Sequence, residues 1–275
     1  MIQSIQAQDY QRWELLLVDD RSEDETPTII ADFAEADSRI RAISTTGVNG
    51  KNSAWNRGYA HSHGEVICFF GGDDLMPAGS LGQRVRAVLN EKPDCAVAAY
   101  SKVRMFGLDP RFDGVDVPRG QRGSRSGGTI TMNRALADMV FPIDESLPNE
   151  DIWTSTIARY RAQELEAPII VVEYRIHSGN SFRRQQSFLE ADTAIARRAR
   201  AYELLLTTPR FCWSPAELRA LRNAAHLERV RSAHRPFQVL VSSGVSFKDR
   251  LRALAYSSPR LYAFRTRFYG VFSGW

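Results

Sequence analysis

Short apolar runs alternate with apolar positions at helical spacing through the first half of the chain. Residues 14–19 (ELLLVD) form an apolar run that stops at acids, the pattern of a buried strand. Ser22 or Asp24 can cap the helix that follows, with Thr26-Pro27 near its first turn and Ile29, Ile30 and Phe33 on its inner face. Residues 39–44 alternate like a strand, 54–62 read as a helix closed by Gly64, and 66–70 are a second buried run. Ser80–Leu89 places Leu81, Val85, Val88 and Leu89 along one helical face. Residues 96–100 and 169–174 read as further strands, and 132–140 and 152–161 as helices. Strand–helix alternation with continuous apolar strands predicts an α/β fold, a mainly parallel sheet with helices on both faces. Residues 107–128 break the pattern. They are rich in Gly, Arg, Asp and Pro and read as a mobile loop of the kind that covers a substrate.

Beyond Phe182 the spacing is helical. Residues 188–206 are a long amphipathic helical stretch, Ser214 to Glu217 a capping box with proline at the first helical position, and 246–255 a shorter helix. The tail, RLYAFRTRFYGVFSGW, interleaves arginines with aromatics. The chain therefore divides into an α/β domain, 1–185, and a helical extension, 186–275. Charge sharpens that division. Residues 186–275 carry 15 Lys/Arg against 6 Asp/Glu, whereas the first 185 are net acidic. A basic end on an acidic body fits an anionic membrane surface or another polyanion, or else a set of solvated helix faces. Arginine–aromatic interleaving favours a membrane contact, and no nucleic-acid-binding motif accompanies it. Three scattered cysteines, none at metal-ligand spacing, suit reduced thiols in a cytoplasmic setting, peripheral to the inner face of the cell membrane if the tail binds it.

Two predicted strands end in acid pairs, Asp19-Asp20 and Asp73-Asp74. In an open parallel sheet both pairs project onto the rim where ligands bind. Like charges gathered there need a cation or hydrogen-bond donors between them. A divalent metal sharing the oxygens of a substrate diphosphate meets that need, and helix capping by Asp74 is the plainer alternative.

The stretches VDDRSEDET (18–26), AWNRG (54–58), GGDD (71–74), NED (149–151) and YRIHSGNS (174–181) follow one another in an order that resembles the family 2 glycosyltransferases over about residues 2–185. The resemblance implies a GT-A fold, a Rossmann-like domain that binds a nucleotide-diphospho-sugar donor, most often a UDP-sugar. It implies a glycan or lipid-linked acceptor and Mn2+ or Mg2+ as cofactor. It assigns Asp20 to the nucleotide base, Asn56 and Arg57 to the diphosphate side, with Lys51 as a second nearby cation, and Asp73 and Asp74 to the metal, with one of these acids near the ribose. Arg175 and His177 fall near the diphosphate or metal, and Arg134, Glu150 and the Gly127-Gly128 turn on the acceptor side. Asp151 takes the role of general base in an inverting displacement, while also favouring the start of the helix that follows it. Two departures accompany the resemblance. Gly71 stands where relatives often carry another acid. The chain opens inside the helix that normally follows a first, central strand, so the sheet is expected to lack that strand. A nucleotide-sugar binder or scaffold without activity is the alternative these departures motivate. A Rossmann oxidoreductase is disfavoured, since no G-x-G-x-x-G turn follows a strand.

Overall fold

The computed structural model describes residues 1–44, 46–47, 50–89, 95–107, 113–177 and 187–267. The chain forms two compact units, Met1–Ser178 and Gly179–Trp275.

The first unit begins with a short helix, α1 (Ile2–Gln6), and then β1 (Leu15–Val18), α2 (Thr26–Ala36) and β2 (Ile40–Ile43). β1 and β2 pair in parallel, Leu15 beside Ile40 and Val18 beside Ile43. The Asp24 carboxylate accepts the Thr26 N–H at 2.9 Å, so the predicted start of α2 is where the acids and Pro27 place it. Ile30 and Phe33 pack on Ile2, Leu17 and Ile40. Ile29, predicted to face inward, is 45% exposed, because its side of α2 opens onto a cavity.

The chain continues through α3 (Lys51–Ala60), β3 (Val66–Cys68), α4 (Ser80–Leu89), β4 (Val97–Gly107), β5 (Asp116–Val117), β6 (Ile130–Asn133), α5 (Arg134–Val140), α6 (Asp151–Arg161) and β7 (Gln163–Ile176). Here β3, β6, β4 and β5 lie in that order, with β7 paired to β4. β4 and β7 are parallel, and β6 runs antiparallel to both β3 and β4. The sheet is thus mixed. Residues 132–133, expected to begin a helix, instead end β6, and the helix starts only where the Asn133 side chain accepts the Leu136 N–H. Two opposed antiparallel pairings leave β3, β4 and β7 pointing the same way, so their carboxyl ends share one rim. The 107–128 region is not wholly loop: Asp116–Val117 pairs with Val103 and Arg104, whereas 108–112 lie outside the described residues.

The core sits on β4 and β6. Val97, Ala98, Ala99, Tyr100 and Met132 are fully buried, as are Leu136, Val140 and Ile157 on the helices that follow. On α4, Arg84 is fully buried and Leu89 is 45% exposed, the reverse of the expectation from polarity. The Arg84 guanidinium donates to the carbonyls of Gly128 at 2.5 Å and Val171 at 3.4 Å, which offsets part of the hydration it gives up, while its Nε finds no acceptor among the described residues. Among the described residues β1–β2 form a sheet separate from the five-stranded one, and β1 and β3 both line a cavity of about 1460 Å³.

The second unit is helical: α7 (Phe188–Ile195), α8 (Arg198–Thr207), α9 (Pro215–Ser232), α10 (Pro236–Val241), α11 (Phe247–Ala255) and α12 (Pro259–Arg267). The helical stretch over 188–206 breaks at Ala196 and Arg197. There Arg231 donates to the Ile195 carbonyl at 2.7 Å and Ser232 to that of Ala196 at 3.2 Å, satisfying acceptors a broken helix leaves open. The Ser214–Glu217 capping box forms as predicted. No helix among the described residues is long and apolar enough to cross a membrane. The last eight residues of the arginine–aromatic tail, 268–275, lie outside the described residues.

Candidate active site

Two clusters occupy the rim beyond the strand ends. The first joins the turn after β3 to the end of β7. Leu75 and Glu173 exchange backbone hydrogen bonds of 3.0 and 2.8 Å, which clamps the GGDD turn onto β7. Arg175 then donates its backbone N–H to the Asp74 carboxylate at 3.1 Å and its Nε to the Asp73 carbonyl at 2.9 Å. His177 Nε2 lies 3.0 Å from Asp73 Oδ2. Asp74 is buried, and burial pushes its carboxyl up to about 6, with the charge of Asp73 adding and the Arg175 N–H opposing.

Both carboxylates fold back over Gly71. A Cβ there would stand 2.8 Å from Asp73 Oδ1 and 3.0 Å from Asp74 Oδ2. The absence of a side chain at Gly71 is therefore what lets the two carboxylates fold over that position. Among the described residues no three His, Cys, Asp or Glu side chains form a metal cage. Two converging carboxylates nonetheless suit Mg2+ or Mn2+ sharing the oxygens of a diphosphate, since such ions take few protein ligands.

The second cluster is strung along the start of α3. Asp20 Oδ2 accepts the Gly50 N–H at 2.9 Å, and the next residue, Lys51, places its Nζ 2.6 Å from Glu150 Oε2. Lys51 also lies 5.0 Å from the ring of Trp55, which stacks on Phe69 at 4.2 Å. Glu150 is buried. Asp151, first residue of α6, accepts the Gly127 N–H at 3.1 Å through Oδ1. Burial, then the charge of Glu150, pushes the Asp151 carboxyl up to about 7 against the opposing pull of Lys51. A Cβ at Gly127 would lie 2.5 Å from both Glu150 Oε1 and the Trp55 ring, so the turn approaches the acids as closely as only glycine permits. The Gly127-Gly128 turn, read as acceptor-facing, is the element in contact with Asp151.

Three residues assigned from the resemblance have other attachments. Asn56 exchanges 2.7 Å bonds with the backbone N–H and carbonyl of Ile143, which pins α3 to the segment before α6. Arg57 donates to the Thr46 carbonyl at 2.6 Å. Arg134 is not brought to the rim. Its guanidinium holds the Gly64 carbonyl and the Ser62 hydroxyl at the amino end of β3, whereas Asp73 and Asp74 follow the carboxyl end. β6 causes this, because its antiparallel pairing sets Asn133 beside Val66. Sequence reasoning missed two supports. One is the Lys51–Glu150 pair, for which sequence spacing carries no signal. The other is Arg84, whose polarity disguised an inward position on a helix otherwise correctly bounded.

Residues 1–135 match the model of Glycosyl transferase family 2. The chain is 33% identical over 95 residues to the probable glycosyltransferase YdaM of Bacillus subtilis, a match covering 34% of this chain and 23% of that relative. It is 25% identical over 217 residues to the UDP-Glc:alpha-D-GlcNAc-diphosphoundecaprenol beta-1,3-glucosyltransferase WfgD of Escherichia coli, covering 74% of this chain and 84% of the relative. It is 32% identical over 81 residues to the GalNAc(5)-diNAcBac-PP-undecaprenol beta-1,3-glucosyltransferase of Campylobacter jejuni, covering 29% and 26%. The chain thus spans about a quarter of the first and third relatives and most of the second.

Proposed function

We propose that this chain, whose residues 1–135 match the model of Glycosyl transferase family 2, moves a sugar from a nucleotide diphosphate, UDP in the first instance, onto a lipid-linked acceptor in envelope polysaccharide assembly. The observation that carries the reading is Asp151. It is a carboxylate fixed by the Gly127 N–H at the start of a helix, with its proton affinity raised to about 7 by burial and Glu150. A base poised near the working pH divides its time between accepting and releasing a proton. The acceptor class rests on the names of the Escherichia coli and Campylobacter relatives, both of which act on undecaprenol-linked substrates.

In the proposed step Asp151 takes the proton of an acceptor hydroxyl as its oxygen bonds to the anomeric carbon. The bond to the nucleoside diphosphate breaks on the opposite face, which inverts the centre. Glu150, neutralised by Lys51, and the Gly127 N–H hold Asp151 in place. Asp73 and Asp74 would hold Mg2+ or Mn2+, which when bound supplies positive charge to the leaving diphosphate. Arg175 and His177 orient those acids, and Asp20 faces the nucleotide base.

The test is transfer of labelled sugar from a panel of UDP-sugars to undecaprenyl-diphosphate-linked acceptors, with donor binding measured in parallel. Transfer that fails in Asp151→Asn while donor binding survives supports the reading. Failure of the parent chain to bind any nucleotide sugar in the presence of Mn2+ contradicts it. Donor binding with no turnover by the parent supports instead the inactive-binder reading.

A further inference from the structure

Exposed apolar side chains gather in the second unit on a short helical hairpin. Six of the nine exposed large hydrophobic residues among the described residues fall between Phe237 and Phe264. α10 buries Val239 against Leu227, Val230 and Ala253, and turns Phe237, Leu240 and Val241 outward at 75, 50 and 61% exposure. At about 100° per residue those three share the face opposite Val239. α11 repeats the arrangement. Ala253 is buried, and Phe247 and Leu251, one turn apart, are 69 and 47% exposed. Helical spacing sets Lys248 and Arg252 on one flank of that stripe and Arg250 on the other. Arg250 also donates to the Leu240 carbonyl at 3.3 Å, tying the two helices together.

Single exposed apolar residues are ordinary, but five on two linked helices form a patch that calls for a partner. Charge identifies the partner. From Arg235 to Arg267 the chain carries seven Lys and Arg and one acid, Asp249. The Asp249 carboxylate is engaged by the Ser246 hydroxyl at 2.6 Å. A second copy would oppose cations to cations. A polyanion without an apolar phase would leave the two phenylalanines in water. A bilayer with anionic headgroups satisfies both, with apolar side chains below the headgroups and long cationic ones reaching up to phosphate.

We propose that α10 and α11 are an interfacial membrane anchor. Phe237, Leu240, Val241, Phe247 and Leu251 enter the headgroup–acyl boundary of an anionic bilayer, and Lys248 and the neighbouring arginines hold its phosphates. The anchor is independent of sugar transfer and needs none of the rim residues.

Flotation of the full chain with vesicles of phosphatidylcholine, with and without phosphatidylglycerol, tests it. The parent floats with the anionic vesicles and does so less as salt rises. Phe237→Ser with Phe247→Ser lowers partitioning by at least about tenfold, since each ring forfeits apolar burial. Lys248→Gln with Arg260→Gln, the latter exposed at the start of α12 in the same basic segment, lowers it about fivefold or more on anionic vesicles only. Both pairs are exposed, so unchanged circular dichroism and melting temperature show that the fold is kept. No flotation of the parent, or flotation unaffected by the serine pair, overturns the proposal. So does light scattering that finds a parent dimer made monomeric by the serine pair in the absence of lipid.

Discussion

Glu150 offers the sharpest perturbation of the proposed base, because it abuts Asp151 in sequence and is itself buried and paired with Lys51 at 2.6 Å. Glu150→Gln keeps the shape and removes one negative charge. The Glu150 charge and a side-chain hydrogen bond between the two carboxyl groups both hold the Asp151 proton, and like charges in contact at about 4 Å repel by about 4 kcal/mol at an effective dielectric constant of about 20, equivalent to roughly three pH units. Lys51 already cancels part of that repulsion, so the expected fall is about one unit. The change also turns Lys51 toward Asp151 alone, which acts in the same direction. The assay is kcat/KM for sugar transfer against pH. The parent should lose activity on the acid side with a midpoint near 7, where Asp151 becomes protonated. Glu150→Gln should move that midpoint down, and Lys51→Met, which removes the opposing cation, should move it up. If neither variant moves the limb, or both move it the same way, the titrating group is not Asp151 and the electrostatic reasoning fails.

The same ionisation bears on stability. The folded chain holds the Asp151 proton more tightly than the unfolded chain does, so this contribution is complete below about pH 4 and is lost as pH rises through about 7. Asp151→Asn should therefore raise the melting temperature at pH 8 and change it little at pH 4; a uniform shift would refute the linkage. Gly127→Ala should cost roughly 1–3 kcal/mol by denaturant unfolding and depress kcat, since its Cβ meets Glu150 and Trp55 at 2.5 Å; an unaltered kcat would detach that turn from the base. Chelation should abolish transfer and Mn2+ or Mg2+ restore it, with Asp73→Asn needing more metal than the parent. Metal-independent transfer would remove the role given to the GGDD turn.

What could be read from the sequence was local. The acids after β1 and β3 end apolar runs, and Ser214 and Glu217 lie three residues apart as a capping box requires, so each is visible within a few positions. The misreadings came from distant partners. Residues 132–133 became the end of β6 because β3 and β4 flank that strand, and that placement carried Arg134 to the wrong end of β3 for an acceptor role. Arg84 faces inward because carbonyls of Gly128 and Val171, far along the chain, receive its guanidinium. The acid pair of NED was visible in the sequence, but its contacts were not: Lys51 and Gly127 reach Glu150 and Asp151 only through tertiary folding.

The central claim is that Asp151 removes a proton from an acceptor bound beside a nucleotide-sugar donor. Its most direct test compares the parent chain with Asp151→Asn, measuring donor affinity by calorimetry and transfer to an undecaprenyl-diphosphate-linked acceptor in the same preparation. The account predicts donor affinity within about twofold of the parent and transfer reduced by roughly 10²–10⁴. Transfer at the parental rate by Asp151→Asn would contradict it.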